Sequence, residues 1–128
     1  MAGYYLHQHL GPSEDWIPAL LVSDHGGDAQ FEEWYGRNRP EAILFAHQPV
    51  FEWVARLGLK VQRDVGIVDL AWSPEHPERT GVDSDPAALG SAAIELLVGQ
   101  REAHEYGVPR RAKIVEVVGR WVAGTTIR

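Results

Sequence analysis

Cysteine is absent from the 128 residues, and methionine occurs once. The first absence excludes a disulfide scaffold, a thiolate zinc site and a cysteine nucleophile. Cations are scarce: 12 Lys and Arg face 18 Asp and Glu, for a formal charge of −6. So acidic a chain is a poor partner for nucleic acid, where phosphate contacts supply much of the affinity. No apolar run approaches ~18 residues, so no segment reads as a membrane-spanning helix. Met1-Ala2-Gly3-Tyr4-Tyr5-Leu6-His7 has neither the basic start nor the long apolar stretch of a secretory signal, and the cytoplasm is the expected location. Linkers, low-complexity tracts and internal repeats are missing too.

Against these absences, 45% of the residues are hydrophobic, and five Trp and four Tyr need burial. That balance fits one globular domain and excludes disorder as the main state. Residues 2–10 read as a short helix stopped by Gly11-Pro12. Ile17–Val22 suits a buried strand, and Ser23–Asp28 a turn-rich loop. Asp28 is placed to cap a helix over Ala29–Asn38, with Phe31, Trp34 and Tyr35 on one face. A strand follows at Ala42–Ala46. Pro49 opens a helix whose stripe is Val50, Phe51, Val54 and Leu57, and Gly58 ends it. Val65–Leu70 is a third strand, and residues 71–84 read as a long loop. Asp85-Pro86 opens the strongest helix, with Leu89, Ala92, Ala93, Leu96 and Leu97 at helical spacing to about residue 104. Lys113–Val118 reads as a last strand, followed by an extended tail or a hairpin around Gly124. Strand and helix alternate, which predicts an α/β fold: a three-layer parallel sheet with helices on both faces.

In such sheets ligands bind beyond the carboxyl ends of the strands. Three segments converge there: Ser23-Asp24-His25, Ala46-His47-Gln48, and Asp69 to Trp72. No phosphate cradle is encoded, since Gly26-Gly27 lacks a following Lys-Ser/Thr and no Gly-x-Gly-x-x-Gly follows a strand. A Gly-x-Ser-x-Gly elbow is also missing. His7 and His9 would point to different sides of a helix. His25 near Asp24 and Asp28, and His76 between Glu75 and Glu78, lack metal-site spacing and read as solvated loop residues. No metal and no cofactor are therefore expected. Asp83 and Asp85 read as turn and cap residues. Trp72, at a strand end, presents an aromatic plane suited to a sugar ring or nucleobase; the alternative is a lid over the core edge.

Four stretches carry a family likeness. Leu57-Gly58-Leu59-Lys60-Val61-Gln62-Arg63-Asp64-Val65-Gly66-Ile67-Val68 follows Pro40-Glu41-Ala42-Ile43-Leu44-Phe45-Ala46-His47-Gln48. Gly81-Val82-Asp83-Ser84-Asp85-Pro86-Ala87-Ala88-Leu89-Gly90 comes next, with Ala92-Ala93 and Leu96-Leu97, and then Val118-Gly119-Arg120-Trp121-Val122-Ala123-Gly124-Thr125-Thr126. In this order and spacing they resemble LacI/GalR-type transcriptional regulators over nearly the whole chain. The resemblance implies the C-terminal lobe of a periplasmic-binding-protein-like (type I) effector domain. Residues 1–128 would be a partial effector-binding domain, with 113–128 returning towards the missing N-terminal lobe and no helix-turn-helix in this chain.

The family's ligand positions fall unevenly on this sequence. Its Asn-Asp falls on His47 and Gln48. Its Gly-Tyr/Phe-Asp falls on Asp69, Leu70 and Ala71, so the aspartate that binds effector hydroxyls is replaced by Ala71, and its glutamine before the long helix falls on Ser84. The expected ligand-binding residues are therefore His47, Gln48, Asp69 and Trp72. The resemblance also implies a homodimer, with Phe51, Trp53 and Val54 as interface candidates. All three could instead face the core, but Trp53 lies off the main stripe, which favours an interface. The implied function is binding of a small, sugar-like effector rather than catalysis, with DNA reached only through the missing helix-turn-helix. The alternatives are a lobe of a periplasmic-type sugar-binding transport protein and a small α/β enzyme of unknown reaction. Residues 1–128 alone are expected to leave duplex DNA unshifted in a gel at physiological salt. A sequence-preferring shift would contradict this reading.

Overall fold

A computed structural model of the chain describes residues 17–22, 27–108 and 113–128. The helix expected over 2–10, the His7/His9 pair and the Asp24-His25 loop lie outside the described residues. The element order is α1 (Gly27–Asn38), β1 (Ala42–Phe45), α2 (Val50–Arg56), β2 (Gly66–Asp69), β3 (Thr80–Asp83), α3 (Pro86–Glu102) and β4 (Arg120–Val122). The four strands form one open sheet in the order β1-β2-β3-β4. β1 runs parallel to β2, with Ile43 beside Ile67 and Phe45 beside Asp69. β2 runs parallel to β3, with Asp69 beside Gly81. β4 runs antiparallel to β3, with Asp83 beside Arg120. The sheet is thus mostly parallel, and its last pair departs from the all-parallel expectation.

The first two helices form where the apolar spacing places them. Phe31 and Tyr35 of α1 and Val50, Trp53 and Val54 of α2 are buried with Ile43, Phe45, Val65 and Ile67 in one core. Each such side chain removed from water contributes roughly 1.5–3 kcal/mol. α2 stops in a Schellman turn. Gly58 takes a positive φ of 70°, its N–H donates to the Ala55 carbonyl, and the Leu59 N–H donates to the Val54 carbonyl. β1 alternates, with Ile43 and Phe45 turned to the core while Leu44 is 63% exposed on the opposite face. β2 is buried throughout, as its continuous apolar run requires. α1 and α2 share one face of the sheet, and α3 buries none of its residues. Among the described residues, helices therefore pack on one face only.

Three segments differ from the sequence expectation. Ile17–Val22 joins no strand. Pro18 has no N–H to give a ladder, and its carbonyl instead accepts the Trp34 indole N–H at 2.7 Å, while Leu20 and Val22 pack on the core. Residues 113–119, expected as a strand over Lys113–Val118, join no ladder. The supposed loop over 71–84 contains β3, whose pairing is entirely long-range. A Cβ at Gly81 would stand 2.1 Å from the Asp69 carbonyl oxygen, so only glycine lets β3 lie against β2.

The tail at 124–128 is locked into the sheet's amino end by Thr126. Its hydroxyl donates to the Ile67 carbonyl at 2.6 Å and accepts from the Thr80 N–H at 2.9 Å. Its backbone carbonyl accepts the Ile67 N–H at 2.8 Å. Thr126 is 5% exposed, so these groups have no water to fall back on. Thr126→Val keeps the shape and strips both hydroxyl bonds, so it is expected to cost about 1–3 kcal/mol in urea unfolding. Thr125→Val, on the exposed side of the same turn, is expected to stay within about 0.5 kcal/mol.

Candidate functional site

The carboxyl ends of β1, β2 and β3 lie side by side through the Phe45–Asp69–Gly81 register. At the end of β1 the chain bends sharply. His47 takes a positive φ of 67°, an uncommon conformation for a side-chain-bearing residue, and His47 and Gln48 stand exposed. The Gln48 carbonyl accepts the Val50 N–H at 2.9 Å, which starts α2 directly behind them.

At the end of β2, Asp69 is only 5% exposed and its carboxylate is fully engaged. One oxygen accepts the Ala71 N–H at 3.0 Å, and the other accepts Nη1 of Arg79 at 3.3 Å. The Arg79 guanidinium lies 4.4 Å above the Phe51 ring, and Phe51 meets Phe45 edge-on at 5.8 Å. Glu78 lies 3.8 Å from Nε of the same arginine. The aromatic face and two carboxylates hold Arg79 in one place. The cation is spent inside the protein and offers little to an anionic solute.

Trp72 hangs from the same framework. Its N–H donates to the Val82 carbonyl at 3.2 Å, and its Cβ stands 3.1 Å from where a Cβ at Gly81 would be. The indole Nε1 is buried with no hydrogen-bond partner, and a buried donor left unmatched costs about 1–3 kcal/mol. The tryptophan is half-buried at the strand ends, where its body lies over Gly81 of β3.

The structure thus brings Asp69 and Trp72 into one cluster and sets His47 and Gln48 at the neighbouring strand end. It places Trp53 and Val54, at 8% and 1% exposure, in the chain's own core rather than on a free surface. The off-stripe position of Trp53 is satisfied internally: its ring packs 5.3 Å from Phe31 on α1. Phe51 remains partly exposed but is engaged with Phe45 and Arg79. His76 lies 3.7 Å from Glu78 on the surface, and no cluster of three or more metal-ligating side chains occurs among the described residues.

Arg79 was not singled out from sequence. The one available signal was its isolation: it is the only Lys or Arg between Arg63 and Arg101, in a stretch rich in Asp and Glu. Beyond the strand ends, two surface cavities stand out. One of about 180 Å³ is lined by Asp28, Glu32, Trp53 and Arg56, the last paired with Asp28. The other, about 350 Å³, lies between α3 and residues 113–115. Neither includes His47, Gln48, Asp69 or Trp72, whose surface is an open wall.

A second polar junction marks the end of β3. Asp83 accepts the Asp85 N–H at 3.0 Å and Nη2 of Arg120 at 3.1 Å. The Asp85 amide first, and then Arg120, hold the Asp83 carboxyl below its ordinary value. A lowered carboxyl stabilises the fold above the ordinary carboxylate range, and that contribution fades as pH falls through the lowered value. The junction is therefore intact at neutral pH.

No family model, curated protein or solved structure matches this chain. Arg79→Met would strand the Asp69 carboxylate in a dry position. It is expected to cost about 3 kcal/mol, the low end for breaking a buried pair, because Arg79 keeps some contact with solvent. Chemical denaturation measures this, and Arg79→Lys is expected to recover only part of the loss.

Proposed function

We propose that this chain is the C-terminal lobe of a two-lobed effector-binding domain in a LacI/GalR-like transcriptional regulator, and that it binds a small polar solute without chemistry. The observation that carries this reading is the path of the chain after β3. The backbone leaves the sheet at Asp83 and returns beside the same residue at Arg120. Among the described residues between them, α3 and residues 113–118 join no ladder of this sheet. α3 buries none of its residues, and Leu89, Ile114 and Val115 are 51%, 81% and 51% exposed. A helix apolar on all but the strip of Ser91, Glu95 and Glu102 belongs in an interior, and an apolar segment without a ladder belongs in a sheet. Both fit a second lobe, to which residues 84–119 would contribute its last helix and strand. The full domain would then have the three-layer arrangement expected from the resemblance.

The strand-end wall suits one half of a cleft. His47 and Gln48 offer exposed hydrogen-bonding groups, and Trp72 offers an aromatic body for a sugar ring or nucleobase. Asp69, tied to Arg79, acts as the fixed base beneath Trp72 rather than as a free hydroxyl acceptor. With its carboxylate and its nearest cation paired off, the wall favours a neutral ligand. Closure of two such lobes would act on a distant DNA-binding domain only through the difference in ligand affinity between open and closed states.

The decisive experiment reads the frame upstream of Met1 and expresses it joined to this chain. The longer protein is expected to carry a helix-turn-helix and a second lobe. In a thermal-shift panel of neutral monosaccharides and nucleosides it should bind at least one member. Residues 1–128 alone should bind that member roughly 100-fold more weakly, a difference of about 2.7 kcal/mol. Trp72→Ala in the longer protein should abolish binding. A secretory signal in place of the helix-turn-helix would favour a transport protein, and turnover of a panel member would favour an enzyme.

A further inference from the structure

Trp34 and Trp72 are both half-buried, yet their indole N–H groups fare differently. That of Trp34 donates to the Pro18 carbonyl at 2.7 Å. That of Trp72 is shut away from solvent and meets no acceptor among the described residues. A buried indole usually finds a partner, because a donor stripped of water and left unmatched destabilises the fold. A seat over Gly81 that needed only an apolar cover would accept a phenylalanine, which carries no such donor.

The acceptors at these strand ends are committed elsewhere. The two Asp69 carboxylate oxygens take the Ala71 N–H and Arg79. Those of Asp83 take the Asp85 N–H and Arg120. The Val82 carbonyl takes the backbone N–H of Trp72 itself. The Ala71 and Trp72 amides thus pin the stem of the side chain to β2 and β3. Residues 74–78, which follow, are exposed. With the backbone held, only the side-chain torsions remain to carry the ring from one position to another.

We infer that the Trp72 indole N–H is a donor kept for the bound solute. In the free chain the ring lies inward, covering the core edge with its N–H unmatched. On binding it turns outward and gives that hydrogen bond to an acceptor oxygen of an uncharged ligand, whose body covers the core edge in its place. The ligand thereby distinguishes two positions of one side chain, which is the difference in affinity that any switch requires. Recognition then rests on the edge of the indole as well as its face, and a flat solute without an acceptor oxygen does not draw the ring out. The solute half of this inference rests on the effector-binding reading, whereas the unmatched donor of the free chain does not.

Benzothienylalanine separates the two. It keeps the shape of tryptophan and carries sulfur where the indole N–H stood. In urea unfolding of residues 1–128, Trp72→benzothienylalanine is expected to move the equilibrium towards the folded form by at least about fivefold, because no donor is left stranded. The same replacement at Trp34 breaks a hydrogen bond and is expected to move it about fivefold the other way; this comparison cancels any effect of the sulfur itself. A Trp72 variant no more stable than the parent, or a gain matched at Trp34, overturns the inference. In the longer protein, Trp72→benzothienylalanine should weaken the panel solute that binds by at least about tenfold, although the aromatic body is retained. Binding that is unchanged in this variant overturns the donor role. If the unaltered longer protein binds no panel member, the effector-binding reading falls together with the solute half of the inference, and the contrast between Trp72 and Trp34 still judges the unmatched donor.

Discussion

The close approach of β2 and β3 is the constraint on which the rest of the molecule depends. At Gly81 the backbone of one strand touches the Asp69 carbonyl of the next, with no room for even a methyl group. Three separate features follow from that contact. Trp72 folds back onto β3 and finds its seat over Gly81. Arg79, just before β3, reaches Asp69 at the end of β2. Asp83, at the far end of the same four-residue strand, meets the returning chain at Arg120. A larger residue at 81 would push apart the strands that hold all three.

Which elements were legible in the sequence follows from the range of their contacts. α1, β1, α2, β2 and α3 are announced locally, by apolar spacing and by stops such as Pro40 and Gly58. β3 is not. Thr80-Gly81-Val82-Asp83 has a poor strand composition and is held by partners more than ten residues away in the chain, so it read as loop. β4 lies in the stretch read as an extended tail or a hairpin around Gly124, but its partner proves to be β3. The error ran in the other direction for Ile17–Val22 and Lys113–Val118. Both have strand composition, yet neither has a ladder partner among the described residues, and composition alone cannot supply one.

The candidate site divides along similar lines. Its location at the strand ends follows from the alternation of strands and helices, and His47, Gln48, Asp69 and Trp72 do stand at the ends of β1 and β2. Their roles were not readable. Nothing near Asp69 in sequence says that its charge is answered by Arg79, or that Phe51 would form the floor beneath that arginine rather than an outer surface. Trp53 shows the limit of helical-wheel reasoning on a seven-residue helix. Lying off the stripe suggested exposure, but α1 wraps far enough round to bury it against Phe31. Side-chain spacing describes one helix, whereas burial depends on what stands beside it.

The junction at Asp83 and Arg120 has a mechanical consequence. The polypeptide passes this point twice, outbound and inbound, as adjacent plies stitched by ladder bonds and one ion pair. A single ply lets whatever it carries spin about its own length. Two plies side by side resist that torsion while still flexing across their width. The β3–β4 ladder and the Asp83–Arg120 pair thereby resist twisting at the point where the chain leaves the sheet and comes back to it.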